Sequence, residues 1–185
     1  MIKQYLITDP AYYTSDPSLC LEHLMRVQKR YLPEYICLRD KLTPDYVSLA
    51  TTVANHFVHD ASTKLFLHTH IKLASDLQCC GIHLTSTQCH EIAYAKSLGL
   101  EVVISTHTLE EAVYAQNEGA DAITFSPIFN SPGKGKPLGL EKLKEINDKI
   151  NIKCFALGGI IHKDQVDACE ALGVFGFASI RFFLD

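Results

Sequence analysis

The stretch EVVISTHTLEEAVYAQNEGADAITF, residues 101–125, holds one complete structural unit, and its reading decides the fold. Residues 101–105 form a short β-branched run of the kind that fills a buried strand. Thr108 stands at the helix N-cap position, and Glu110 and Glu111 follow in the first turn, where the helix dipole favours acids. Leu109, Ala112, Val113 and Gln116 fall at i, i+3, i+4 and i+7, three of the four apolar, so residues 109–118 read as an amphipathic helix. Gly119 supplies the left-handed stop, and residues 122–125 begin the next strand.

The same unit recurs in both directions. Strand-like runs occur at residues 4–8, 35–38, 64–67, 81–84, 101–105, 122–125, 153–157 and 176–180, which makes eight, with amphipathic helical segments between them. Gly99 and Gly173 stop helices as Gly119 does. Strand, helix and strand in repetition predict right-handed crossovers and a parallel sheet. Alternation alone fits an open doubly wound sheet as well as a closed barrel. The units are mostly about 20 to 30 residues long, no G-x-G-x-x-G follows the first strand, and polar residues collect just past the C-terminal end of nearly every strand, which is where barrel sites are built. The expectation is therefore an α/β fold, a (βα)8 TIM barrel, with residues 1–185 as one domain. Only residues 181–185 follow the eighth strand, so the last outer helix is expected to be truncated.

Composition bounds the function. At 185 residues, 47% hydrophobic and 21% charged, the chain fits one globular core able to bury roughly 70% of its unfolded surface. The net charge of −4, with Lys and Arg scattered, argues against a nucleic-acid partner. No run of 18 apolar residues occurs, which argues against a membrane span. The start carries one Lys and a short apolar run before Asp9-Pro10, so no signal peptide and a cytoplasmic location are expected. The seven Cys form an odd set without CxxC spacing and read as small buried hydrophobes in a reducing compartment.

Two features point to an anion. Gly158-Gly159 follows the seventh strand and Ile180-Arg181 ends the eighth, the pair of loops that often holds phosphate in barrels through main-chain N–H groups. The plain alternative for the two glycines is a tight left-handed turn. The Gly/Pro-rich residues 127–137 form the longest polar loop, and Lys134 and Lys136 on it are placed to close over an anion or to remain solvated.

Several short pieces share the order and spacing of one family. They are Tyr5-Leu6-Ile7-Thr8-Asp9, Leu38-Arg39-Asp40-Lys41, Gly81-Ile82-His83-Leu84, the run from Ile104 to Ala112, Gly119-Ala120-Asp121, Phe125-Ser126-Pro127-Ile128-Phe129, Pro137-Leu138-Gly139-Leu140 and Leu157-Gly158-Gly159-Ile160. On these the chain resembles the thiamine phosphate synthase/TenI superfamily over nearly its whole length. In the synthases of that family a thiazole phosphate displaces pyrophosphate from an activated aminopyrimidine, assisted by Mg²⁺ held by two acidic residues. Those residues follow strand three in an Asn-Asp pair and strand four in a Gly-Gln-x-Asp run. Here the places read His68-Thr69 and Thr85-Ser86-Thr87-Gln88, and Cys37 replaces the Gln that precedes the Leu-Arg pair. Mg²⁺ depends on anionic oxygen ligands, and neither Thr69 nor Gln88 supplies one.

The resemblance is therefore closer to the TenI-like branch, whose members are thiazole tautomerases that move a proton on a thiazole carboxylate phosphate without a metal. The resemblance implies His107 as acid/base, in a Ser-x-His-Ser/Thr pattern, and histidine suits that task because imidazole titrates near neutral pH. It implies substrate and phosphate contacts from Arg39, Lys41, Ser105, Ser131, Lys134, Gly158, Gly159, Ile180 and Arg181, with no metal ligand and no cofactor. The ligand expected is a small phosphorylated thiazole. Two alternatives stand beside this reading: an Mg²⁺-dependent thiamine phosphate synthase, and a non-catalytic regulatory barrel that only binds a phosphorylated ligand. His68, His70 and His83 lie near the strand ends, and a His-x-His pair invites Zn²⁺, but a third ligand is not evident. If Leu67 faces the core, His68 and His70 emerge beyond the strand. The missing last helix would leave an apolar flank, including Phe182, Phe183 and Leu184, suited to homodimer pairing.

Overall fold

The computed structural model describes residues 2–184. Eight parallel strands, β1 (Lys3–Ile7), β2 (Tyr35–Leu38), β3 (Lys64–His68), β4 (Gly81–Leu84), β5 (Glu101–Thr106), β6 (Ala122–Phe125), β7 (Lys153–Leu157) and β8 (Gly176–Ser179), pair in sequence order and close with β8 on β1. The closed barrel is thus the one expected of the two candidate sheets. The helices are α1 (Pro10–Tyr13), α2 (Pro17–Tyr31), α3 (Tyr46–Phe57), α4 (Ile71–Asp76), α5 (Ile92–Ser97), α6 (Leu109–Asn117), α7 (Gly139–Lys149) and α8 (Lys163–Glu170), with a 3-10 turn over Ser86–Glu91 before α5. In α6 the Thr108 hydroxyl accepts from Glu111 N at 3.1 Å, the cap that its sequence predicts.

Because helices cover the barrel outside, each strand is buried on both faces and the molecule has two cores. The outer core runs between strands and helices and includes Leu6, Ile36, Leu67, Ile82, Ile104, Ile123 and Phe177. The inner core fills the barrel axis with Tyr5, Tyr35, Cys37, Phe66, Val103 and Phe155 among others. The rings of Tyr5, Tyr35, Phe66 and Phe155 lie 5.1–5.9 Å apart in tilted and edge-on pairs, the arrangement that aromatic quadrupoles favour. This plug leaves the upper barrel open for a site.

The two cores correct one expectation. Leu67 does face a core, but it is the outer one, so His68 turns inward as the last residue of β3 and is buried at the axis. The cysteines divide as well: Cys20, Cys37, Cys79, Cys154 and Cys169 are buried as expected, whereas Cys80 is exposed and Cys89 half-buried. After β8 the chain makes only a turn, so no outer helix follows that strand among the described residues. Phe182 and Phe183 fold back to take its place. Phe183 is buried, stacks parallel to Phe177 at 6.0 Å and meets Tyr31 edge-on at 5.6 Å. Phe182 and Leu184 are half-buried against the same core. The flank expected to serve pairing is therefore largely closed by the chain itself.

The lower end of the barrel is sealed by charge. Glu101, whose side chain is 16% exposed, bridges Lys64 at 2.6 Å and Lys153 at 2.8 Å. Burial alone would raise its carboxyl pKa, but hydrogen bonds from the two ammonium groups outweigh it and hold the value low. A carboxylate with a lowered folded value contributes stability above its unfolded pKa of about 4.3 and loses it as pH falls through the folded value. Glu101→Gln is expected to cost roughly 1–2 kcal/mol at pH 7, small for a buried pair because both lysines reach water, and the gap from the parent should close in acid. Urea unfolding of both proteins at pH 7 and pH 3.5 checks this; a gap that persists in acid would show that packing, not charge, is responsible.

Candidate active site

The loops that follow the strands enclose a cavity of about 400 Å³ at the C-terminal end of the barrel. Its wall includes every site residue expected from the sequence: Arg39, Lys41, Ser105, His107, Ser131, Lys134, Gly158, Gly159, Ile180 and Arg181. Lys136 and His70 do not line it, and the His70 ring stacks instead on Tyr46 at 4.4 Å. His68, His83, Tyr12, Thr85 and Ser126 line it and were not assigned roles from the sequence.

Among the described residues no Asp or Glu lines the cavity, while Arg39, Lys41, Lys134 and Arg181 do. The wall thus favours an anionic ligand. The β2 loop shows how two of the cations are placed. Asp40 accepts from Leu42 N at 2.8 Å, Thr43 N at 2.9 Å and Ser15 Oγ at 2.5 Å, which fixes the turn that carries Arg39 and Lys41 on either side of it. Thr8 Oγ1 accepts from Arg39 N at 2.7 Å, and the Arg39 guanidinium pairs with Asp9 at 2.9 Å. Burial first, then the charges of Arg39 and Lys134, lower the Lys41 pKa. The second of these causes places Arg39 and Lys134 within electrostatic reach of Lys41.

Opposite them lie the loops after β7 and β8. Their carbonyls are held by the protein: Gly158 O accepts from Phe129 N at 2.9 Å, Gly159 O from Gln165 Nε2 at 2.8 Å, Ile160 O from Ser179 Oγ at 2.7 Å and Ile180 O from Tyr13 Oη at 2.8 Å. The main-chain N–H groups of Gly159, Ile180 and Arg181 meet no acceptor among the described residues. Loops with tied carbonyls and free N–H groups make an anion cradle. Both glycines have positive φ, 101° and 72°, so the left-handed turn given as the plain alternative is present here.

His107 sits on the rim just after β5. Its Nδ1 lies 2.8 Å from the Ser126 carbonyl oxygen, which can only accept, so Nδ1 carries a proton and Nε2 is the nitrogen left to exchange one. Its own N–H donates to Glu111 at 2.6 Å, which ties the residue to the first turn of α6. His68 and His83 differ from it. Burial, then the neighbouring charges, push both imidazoles down to about 3, and both are neutral at pH 7.

The two positions where the resemblance implies metal-holding carboxylates are engaged otherwise. Gln88 Oε1 accepts from Thr85 N at 3.1 Å and Thr85 Oγ1 at 2.9 Å, and its Nε2 donates to Glu91 at 3.1 Å, so the side chain caps the 3-10 turn. Thr69 lies outside the cavity wall in a left-handed turn of φ 64°. Among the described residues no group of three His, Cys, Asp or Glu is arranged to hold a metal ion, and no helix is long and apolar enough to cross a membrane.

Comparison with known proteins agrees with this architecture. The family model described as thiamine monophosphate synthase matches residues 4–183. A protein of Aquifex aeolicus named putative thiamine-phosphate synthase 2 is 33% identical, over 98% of this chain and 97% of its own. The thiamine-phosphate synthase of Clostridium novyi is 29% identical over 98% of this chain and 90% of its own. The solved thiamine phosphate pyrophosphorylase of Pyrococcus furiosus superposes with a TM-score of 0.80 at 25% identity, covering 97% of this chain and 85% of that one. With the family model matched along almost all of a closed eight-stranded barrel, the chain belongs to the thiamine monophosphate synthase family.

Proposed function

We propose that this thiamine-biosynthesis family member is a thiazole tautomerase of the TenI type, in which His107 moves a proton on a thiazole carboxylate phosphate. The observation that carries the reading is the His107 imidazole on the cavity wall, held through Nδ1 by Ser126 O at 2.8 Å so that Nε2 is the nitrogen left for proton exchange. A substrate whose phosphate rests on the N–H groups of Gly159, Ile180 and Arg181 would place its ring between that cradle and His107. Arg39, Lys41, Lys134 and Ser131 would then meet the remaining negative charge. The imidazole takes a proton from one ring position and returns it at another, and the ring gains aromaticity without net redox change.

Mg²⁺, which the family synthases use, does not fit the residues present. Gln88 spends its amide oxygen on Thr85, Thr69 stands off the wall, and no carboxylate lines the cavity among the described residues. The second reading, coupling of the thiazole phosphate to a pyrimidine pyrophosphate, is favoured by the names of the relatives at 33% and 29% identity. One pair of assays separates the two. The expected result is isomerisation of the thiazole carboxylate phosphate, followed by NMR, at an unchanged rate in excess EDTA. Condensation of both half-molecules with added Mg²⁺, without isomerisation, would establish the synthase instead.

A further inference from the structure

A chain of three side chains runs from Tyr5 at the barrel axis up to the cavity wall. Tyr5 Oη lies 2.9 Å from His83 Nδ1, and His83 Nε2 lies 3.1 Å from Ser105 Oγ. Tyr5 is fully buried and His83 is 3% exposed, while Ser105 lines the cavity two residues before His107 on β5 and just beyond it. Every proton in such a chain has a direction, and the direction decides whether Ser105 offers a ligand a donor or an acceptor.

We propose that Tyr5 is a positioning residue: by donating to Nδ1 it holds His83 in the Nε2–H form, which occupies the Ser105 oxygen and turns the Ser105 hydroxyl proton toward the cavity. The phenol has one proton and two neighbours to receive it, His83 Nδ1 and the Cys37 sulfur. An imidazole lone pair is a far better acceptor than a thiol sulfur, so the proton goes to Nδ1. Burial raises the pKa of the phenol and lowers that of the imidazole, which keeps the first protonated and the second neutral. A neutral imidazole whose Nδ1 accepts has its only proton on Nε2, and it must donate that proton to Ser105 Oγ. Ser105 is then a donor matched to a ligand acceptor, a ring nitrogen or a carboxylate oxygen, beside the base. The use made of this donor in turnover rests on the tautomerase reading above; the tautomer of His83 does not.

The test has two arms. In the first, ¹⁵N NMR of the free protein is expected to show His83 protonated at Nε2 alone, and Tyr5→Phe to shift it toward a mixture of forms. A wild-type His83 protonated at Nδ1 overturns the inference. In the second, Tyr5→Phe and Ser105→Ala are each expected to lower kcat about tenfold, the value of one hydrogen bond, with KM little changed, and the double variant to lose no more than either alone. Additive losses would overturn it as well. If Tyr5→Phe does not fold, His83→Gln replaces it, because an amide also accepts from Tyr5 and donates to Ser105. It should lose less kcat than His83→Leu, and equal losses in the two would overturn the inference. A wild type without turnover but with His83 in the Nε2–H form would remove the proposed activity and leave the tautomer assignment standing.

Discussion

His107→Ala is expected to lower turnover of a thiazole carboxylate phosphate by about 100- to 10,000-fold, the range that a positioned acid/base supplies, while binding of the substrate changes little. The split follows from the geometry. The cradle and the cations on the β2 loop lie on other loops, and none of their hydrogen bonds passes through His107. The one bond lost, from the imidazole to Ser126 O, is a rim contact of an exposed residue, and the main-chain N–H of residue 107 still donates to Glu111, so stability should fall by less than about 1 kcal/mol. Single-turnover rates and isothermal titration with the same substrate separate the two effects. Turnover unchanged in the variant removes His107 from the chemistry. A large loss of binding with intact residual turnover would make it a ligand-holding group instead.

The site could be read so far from sequence because its parts are local. Polar residues just past the strand ends, a Gly pair after the seventh strand and His107 just before the capped helix after the fifth are each read within about ten residues, and Arg39, Lys41, Gly158, Gly159 and His107 all lie on the cavity wall. What was hidden depends on pairs far apart in the chain. Tyr5 and His83 are 78 residues apart, and the register β1 through β4 that brings them together exists only once the barrel closes. Part of the signal was available: His83 stands two residues after Gly81 and Tyr5 two before Ile7, and side chains two apart share a strand face. The same periodicity misled at His68. In a strand buried on both sides a Leu facing a core does not say which core, and Leu67 chose the helices. The fate of the last turn was equally non-local, since Phe183 is buried only because Tyr31 and Phe177 lie beside it.

Gly159→Ala tests the cradle most severely, and Gly173 supplies its control, because both residues sit at φ 72°. An alanine at either position pays the left-handed backbone cost of about 1–2 kcal/mol. At Gly173 nothing lies within 4 Å of the added Cβ, so that cost is all that is expected, and anion binding far across the barrel should not change. At Gly159 the Cβ would lie 2.5 Å from Asn130 O and 2.8 Å from Phe129 C, which are backbone atoms of the loop that carries Ser131 and Lys134. That loop cannot turn a side chain aside; it has to move bodily from the β7 loop, to which Phe129 N and Gly158 O bind it at 2.9 Å. The total loss should reach roughly 3–4 kcal/mol when the clash is added to the backbone cost. Inorganic phosphate, the smallest probe of the cradle, should bind at least tenfold more weakly, since the N–H groups on one side lose their place against those on the other. Thermal unfolding with and without phosphate reads both effects for the two variants. If Gly159→Ala unfolds earlier but takes the same stabilisation from phosphate as the parent, the glycine serves loop packing alone and the anion is held elsewhere, by Arg39 and Lys41.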